Sequence, residues 1–216
     1  FELNALFILI LIEGFSLSYS LADRFFIGNV PQGGIAALNY AFVIFMLPVT
    51  LLSIPIITTM FSKFSKSVST NSFDLLVNDF LNSSRMNLYI FIPITLLIYF
   101  WGDILLKIFY ERGEFTAVDT IMTHSTLQKY AIGLIFYTSY LIAVKLLYSL
   151  NKYIFILVIS ITAILLKITL NFSFVKLLNQ DGLALSTSLV YIFLFIVTLI
   201  YISNFLRIKN KTWYPN

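Results

Sequence analysis

Six long apolar stretches, joined by short polar connections, leave this 216-residue chain little choice of fold. They run at about 4–28, 35–61, 86–108, 117–150, 153–178 and 182–206. A helix needs roughly 20 mainly apolar residues to cross a bilayer, and each stretch supplies them. No water reaches the hydrocarbon to satisfy backbone amides, so each segment must pair its own and become a helix. The expected fold is all-α: a polytopic membrane protein whose residues 1–216 form a single six-transmembrane-helix lobe. Composition agrees, with 59% hydrophobic and 11% charged residues and a mean hydropathy of +0.92. The absence of cysteine excludes a disulfide framework and a thiolate metal site. The net charge of +4 is scattered between apolar spans, which points to membrane topology and not to a nucleic-acid partner. No cleavable signal pattern opens the chain, and its first residue is Phe1, so further residues are expected upstream.

The basic residues set an expected orientation. Lys63, Lys66, Arg85, Lys145, Lys152, Arg207, Lys209 and Lys211 collect on one side, while Arg24, Lys107, Arg112, Lys129 and Lys176 on the other are diluted by five carboxylates. The first side is therefore cytoplasmic, which puts both ends of the segment there. Tyr89, Trp101, Tyr110, Tyr153 and Trp213 lie near span ends, as interfacial anchors do. Phe73, Leu76, Val77 and Phe80 follow helical spacing in a polar stretch, which predicts an amphipathic helix over about 72–85 lying on the membrane surface. Asn29–Gly34 reads as a tight outer loop, and Thr116 with Asp119 reads as a capping-box start for the fourth span. Pro48 and Pro55 interrupt the second span and Pro93 the third, each deleting a backbone hydrogen bond and able to kink its helix.

Lys167 is the worst-placed charge. It lies thirteen residues into its span, roughly 20 Å from the inner end, too deep to reach water by snorkelling. A lysine at this depth costs about 2.5–3.5 kcal/mol on insertion scales, so it requires a partner or a wet cavity. Asn171, four residues on, shares its helix face. Glu13 is the second deep charge, read either as a proton or cation carrier facing a cavity or as a hydrogen-bonded interhelical contact. Arg24 is either an outer-mouth phosphate ligand or an interfacial anchor. Asn39 and Tyr40 are candidate cavity residues, with packing the alternative for Tyr40. Arg112, Glu111 and Glu114 read as a loop-ordering cluster, and the single His124 has no partner at metal-ligand spacing. No nucleophile–base pair or metal constellation is visible, so the chain is not read as an enzyme.

Several strings together resemble one family. Ala22-Asp23-Arg24-Phe25-Phe26 ends the first span and Ala36-Ala37-Leu38-Asn39-Tyr40-Ala41 begins the second. Glu111-Arg112-Gly113-Glu114-Phe115-Thr116 follows the third, and Gly182-Leu183-Ala184-Leu185-Ser186-Thr187-Ser188 begins the sixth. The chain is similar to the MurJ/MviN lipid II flippases of the multidrug/oligosaccharidyl-lipid/polysaccharide exporter superfamily, from their seventh helix to about their twelfth. The resemblance implies the C-terminal lobe of a MurJ- or MATE-like transporter in the bacterial cytoplasmic membrane. Its implied partners are the lipid bilayer, an N-terminal lobe and an undecaprenyl-pyrophosphate-linked saccharide, moved by alternating access for peptidoglycan and cell-wall synthesis.

Some members of that family hold a sodium ion between these helices, and the corresponding positions are Asp23, Lys167, Asn171 and Thr187. Lysine stands where they carry asparagine, so the ammonium is expected to take the place of the ion beside Asp23, with no cofactor required. Members also carry an acidic or amide residue and then arginine after the Asn-Tyr-Ala string, where this chain has Phe42 and Val43. That departure keeps two alternatives open: an exporter of another polysaccharide-lipid or drug, and a membrane partner subunit that does not transport.

Overall fold

The computed structural model describes residues 2–26, 28 and 30–213, with the side chains of 2–5, 16, 17, 20 and 207–213 outside the described set. Asn29, Arg207, Lys209, Lys211 and Trp213 therefore lie outside the side chains described. The helices are α1 (Glu2–Arg24), α2 (Gly34–Pro48), α3 (Ile54–Ser69), α4 (Phe73–Tyr110), α5 (Ala117–Ser149), α6 (Tyr153–Leu178) and α7 (Gln180–Trp213). No strand occurs among the described residues. Helices α2 and α3 are joined without a loop, and this rod and the four helices after it are long and apolar enough to cross a membrane. α1 carries a shorter apolar run, Leu6–Phe15, among the described residues. Its 23 residues still measure about 34 Å.

The two prolines of the second span act together. Between them the helix widens into one π turn, Val49–Ser53. A proline ring collides with the carbonyl four residues before it, and Pro55 directs that collision at Leu51, inside the widened turn. The hydroxyl of Thr50 donates to the carbonyls of Met46 and Leu47 at 3.1 and 3.0 Å. α4 breaks elsewhere than expected. Its helix passes through Pro93 and departs from helical dihedrals at Trp101 (φ −123°, ψ 17°). The next residue, Gly102, lies where a Cβ would come within 2.9 Å of Leu127 and 3.2 Å of His124, so the break accompanies a close approach of α4 to α5.

The segment 72–85 is not a separate surface helix. It is the first part of the 38-residue α4, which runs past Arg85 without interruption as far as Trp101, so that the 28 residues before the break alone measure about 42 Å against a hydrocarbon core of about 30 Å. Leu76 and Phe80, two of the residues that gave it an amphipathic pattern, are buried with Phe64 of α3 and Leu146 and Leu147 of α5. Protein, and not headgroup, covers that face.

α5 is the centre of the lobe, packing against α7, α4, α2 and α3, while α1 rests mainly on α6. One core cluster occupies the Arg24 end, around Phe45, Phe91, Leu127 and Leu183. A second fills the Ser149 end around Phe64, Ile142, Leu147 and Ile156. Gly133 lets α5 and α7 touch, since a Cβ there would lie 2.7 Å from Ser188. The Thr116–Asp119 box forms as the spacing predicts, with Asp119 accepting from the Thr116 amide and hydroxyl at 2.8 Å each. Of the loop cluster, Glu111 is tied down, accepting from Thr120 at 2.8 Å. At the other end Asn71 (φ 52°) and Asn151 (φ 55°) take left-handed conformations that close the α3–α4 and α5–α6 turns.

Candidate functional site

Lys167 lies on the face of α6 that meets α1 and α7. Its ammonium is 2.8 Å from Asp23 Oδ1, with the lysine side chain 1% exposed and the aspartate 16%. It also donates to the Leu183 carbonyl at 3.4 Å and to the Thr187 hydroxyl. Three donors thus meet three acceptors, the full complement of an ammonium. One helical turn along α6, Asn171 Nδ2 donates to the same Asp23 oxygen at 2.8 Å, and the Thr187 hydroxyl donates to the Leu183 carbonyl at 3.0 Å. Asn171 Oδ1 is buried without a hydrogen-bond partner among the described residues. The four residues Asp23, Lys167, Asn171 and Thr187, drawn from three helices, therefore converge on one point.

That point forms part of the wall of a cavity of about 680 Å³, bounded by α1, α2, α5, α6 and α7. Asp23, Lys167 and Thr187 face into it, and so do the sequence candidates Glu13, Arg24 and Asn39. Tyr40 is not among its lining residues. Its ring packs 4.6 Å from Tyr110 and 5.3 Å from Phe115, because neighbouring residues on a helix point about 100° apart. Packing, the alternative role for Tyr40, is what the structure shows.

Two features of the cavity escaped the sequence reading. Six tyrosines line it: Tyr19, Tyr130, Tyr137, Tyr140, Tyr148 and Tyr191. Four lie on α5 at spacings of seven, three and eight, which map to one helix face. That periodicity was present in the sequence but merged with a general abundance of aromatic residues. Tyr137 and Tyr191 stack at 4.3 Å, and Tyr191 stacks with Phe45 at 6.1 Å. Lys145 is the second omission. Counted in the sequence only as one of the basic residues of the cytoplasmic side, it borders the cavity at the α5 C-terminal end, with its ammonium 5.7 Å from the Phe61 ring and 5.4 Å from Tyr148.

A sequence profile described as "Lipid II flippase MurJ" matches residues 3–214. The chain belongs to this family. A probable lipid II flippase MurJ of Borreliella burgdorferi is 32% identical over 124 residues, covering 57% of this chain and 24% of that protein. A solved lipid II flippase MurJ in an inward closed conformation superposes with a TM-score of 0.77 at 23% identity, over 88% of this chain and 40% of that one. An outward-facing MATE-family multidrug resistance transporter gives 0.79 at 15% identity, over 91% and 43%. At such identities the superpositions establish a shared fold. The chain spans well under half the length of these relatives.

Within this MurJ-family lobe, the position after Asn39-Tyr40-Ala41 has a definite environment. Phe42 borders the cavity, its ring 5.6 Å from Tyr130, and Val43 points away and is 53% exposed. An aromatic surface therefore stands where the family resemblance implies a polar or charged one.

Proposed function

We propose that this chain is one lobe of a flippase that moves a lipid-linked peptidoglycan precursor, lipid II, across the cytoplasmic membrane by alternating access. The observation that carries the reading is the cavity walled by five helices, with a buried charge cluster on its side and the basic residues Arg24 and Lys145 in its lining. A polar headgroup crossing hydrocarbon requires such a lined, sheltered space, since every unpaired polar group costs several kcal/mol in lipid. A second lobe facing the cavity would complete the enclosure. Both ends of the segment would lie on the cytoplasmic side, as the basic residues indicate.

In this reading Lys167 replaces a bound sodium ion. A carboxylate, a carbonyl and a hydroxyl are oxygen donors suited to a hard cation, but here they surround an ammonium tethered to α6. A metal ion at the same point would meet a like charge, so the residues present do not fit one. Transport would then proceed without sodium, whereas a clear acceleration by sodium over potassium would refute the tethered-cation reading.

Phe42 supports a second reading, in which the cargo is a drug or another lipid-linked saccharide held by its rings and hydroxyls, the groups that the aromatic wall it forms with Tyr130 favours. Depletion of the protein in cells separates the two. Lipid II accumulating in the inner leaflet is expected for the first, and an unchanged lipid II distribution would exclude it.

A further inference from the structure

An ammonium tethered to α6 cannot be taken up and released with each transport cycle, so an ion that drives transport must bind elsewhere in the cavity. Two carboxylates line it, Asp23 and Glu13. Asp23 is committed to Lys167 and Asn171. Neither a hydrogen bond nor an ion pair holds Glu13 among the described residues. A metal ion calls for several oxygen ligands, and no group of three His, Cys, Asp or Glu side chains that could hold one occurs among the described residues. A proton needs only the one carboxylate. The other charged groups lining the cavity are Arg24 on α1, Lys145 on α5 and Lys167 on α6, while α7 contributes the titratable Tyr191 and α2 contributes none.

The tyrosines supply a path for that proton. Tyr148 lies within electrostatic range of Glu13, and Tyr140 within range of Tyr148. Tyr19 and Tyr137 adjoin Tyr140 in the same way, and Tyr191 leads from Tyr137 to Tyr130, near Asp23. From Tyr130 to Tyr148 is eighteen residues of α5, about 27 Å against a hydrocarbon core of about 30 Å. Phenylalanine would serve the ring stack of Tyr137 and Tyr191 equally well, so stacking does not account for the hydroxyls. The Tyr19 hydroxyl is buried on the cavity wall without a partner among the described residues, a polar position where a water completes a hydrogen-bonded chain. A phenol both donates and accepts, so it passes a proton on by receiving one and giving another, with no phenolate formed.

We infer that Glu13 binds and releases the proton that drives transport, and that the tyrosine hydroxyls from Tyr130 to Tyr148 relay it across the lobe. The coupling rests on the transport reading; the relay does not. A proton enters at the Tyr130 end, and each hydroxyl or bridging water on the path forms one O–H bond and breaks another. The last transfer forms an O–H bond on the Glu13 carboxylate. When the cavity opens at the Tyr148 end, that bond breaks to water and the carboxylate is restored. One positive charge moves per cycle and no electrons are exchanged. Intramembrane carboxylates relay protons in this way in pumps and transporters.

The test uses the protein at its full natural length in phosphatidylcholine vesicles with a pH-sensitive dye in the lumen. A potassium gradient with valinomycin makes the lumen negative, and acidification is followed with and without lipid II in the membrane. Wild type is expected to acidify the lumen, Glu13→Gln to fall to the level of protein-free vesicles, and Glu13→Asp to restore the flux. Tyr19→Phe and Tyr140→Phe, which each remove one hydroxyl and keep the ring, should slow it, whereas Tyr40→Phe, outside the cavity, should not. Thermal midpoints separate a lost relay from a lost fold. Acidification by Glu13→Gln at the wild-type rate, or no wild-type flux above protein-free vesicles in either membrane, would overturn the relay. So would wild-type rates in both Tyr19→Phe and Tyr140→Phe. Translocation of lipid II without proton flux would overturn the relay and leave the transport reading standing. Proton flux that depends on Glu13, in a protein that translocates no lipid II, would do the reverse.

Discussion

Replacing Lys167 by methionine removes the ammonium while retaining most of the side-chain volume. Asp23 then keeps only the Asn171 amide on its bonded oxygen, and the Leu183 carbonyl and Thr187 hydroxyl lose a donor. Breaking one side of a buried ion pair costs about 3–5 kcal/mol, because the remaining charge stays out of water. Asp23 opens slightly onto the cavity, so the lower end, about 3 kcal/mol, is expected. At about 2–4 °C per kcal/mol for 150–250 residues, and less for a longer chain, the thermal midpoint of the full-length protein falls by several degrees, with roughly 6–12 °C the upper range. Pairing the change with Asp23→Asn removes the stranded charge, and the double variant should recover much of the loss. The measurement is thermal unfolding of the detergent-purified full-length protein across the four members of the cycle. Single-variant losses that simply add, with no coupling, would refute the idea that these two charges stabilise each other. Lys167→Asn extends the test. It opens an oxygen-lined space that includes the unpartnered Asn171 Oδ1, so sodium should raise its midpoint more than potassium does, whereas the wild type should respond equally to both.

Thr187→Val removes an acceptor from the buried ammonium and should cost about 1–3 kcal/mol, read as a lower thermal midpoint than that of Thr187→Ser. Gly133→Leu drives a side chain into Ser188, where a Cβ alone would lie 2.7 Å away; separating α5 from α7 should cost about 1–3 kcal/mol or more, seen as earlier thermal aggregation. Asn87→Leu deletes the intramembrane bonds from Asn87 to Thr138 and Ser139, at 3.2 and 3.0 Å. Such bonds average about 0.6 kcal/mol, so a midpoint shift of only a few degrees is expected, and a collapse of expression would contradict that estimate.

What the sequence disclosed, and what it withheld, follows from the range of each signal. The apolar runs marked both ends of α1, α5 and α6 to within about four residues, whereas α3, α4 and α7 extend past their apolar runs at one end, because bilayer thickness dictates the length of the apolar run and not that of the helix. The Thr116–Asp119 box is local, so its spacing sufficed. Lys167 announced itself by its cost, and its i, i+4 relation to Asn171 supplied the shared face. The rest depended on neighbours in space. The helix break at Trp101 arises where Gly102 meets Leu127 and His124, and nothing in the local sequence names those partners, whereas at Pro93 the backbone keeps helical dihedrals. The polar stretch 72–85 has the pattern of a surface helix because only α3 and α5 reveal what covers Leu76 and Phe80. Lys145 resembles any interfacial lysine until the cavity is seen beside it.

The central claim joins a cargo to a built-in cation, and one measurement addresses both. Full-length protein in proteoliposomes carrying fluorescent lipid II can be assayed for translocation with sodium as the cation and again with potassium. The account predicts translocation at the same rate in both. No translocation in either, or a rate that rises with sodium, would contradict it.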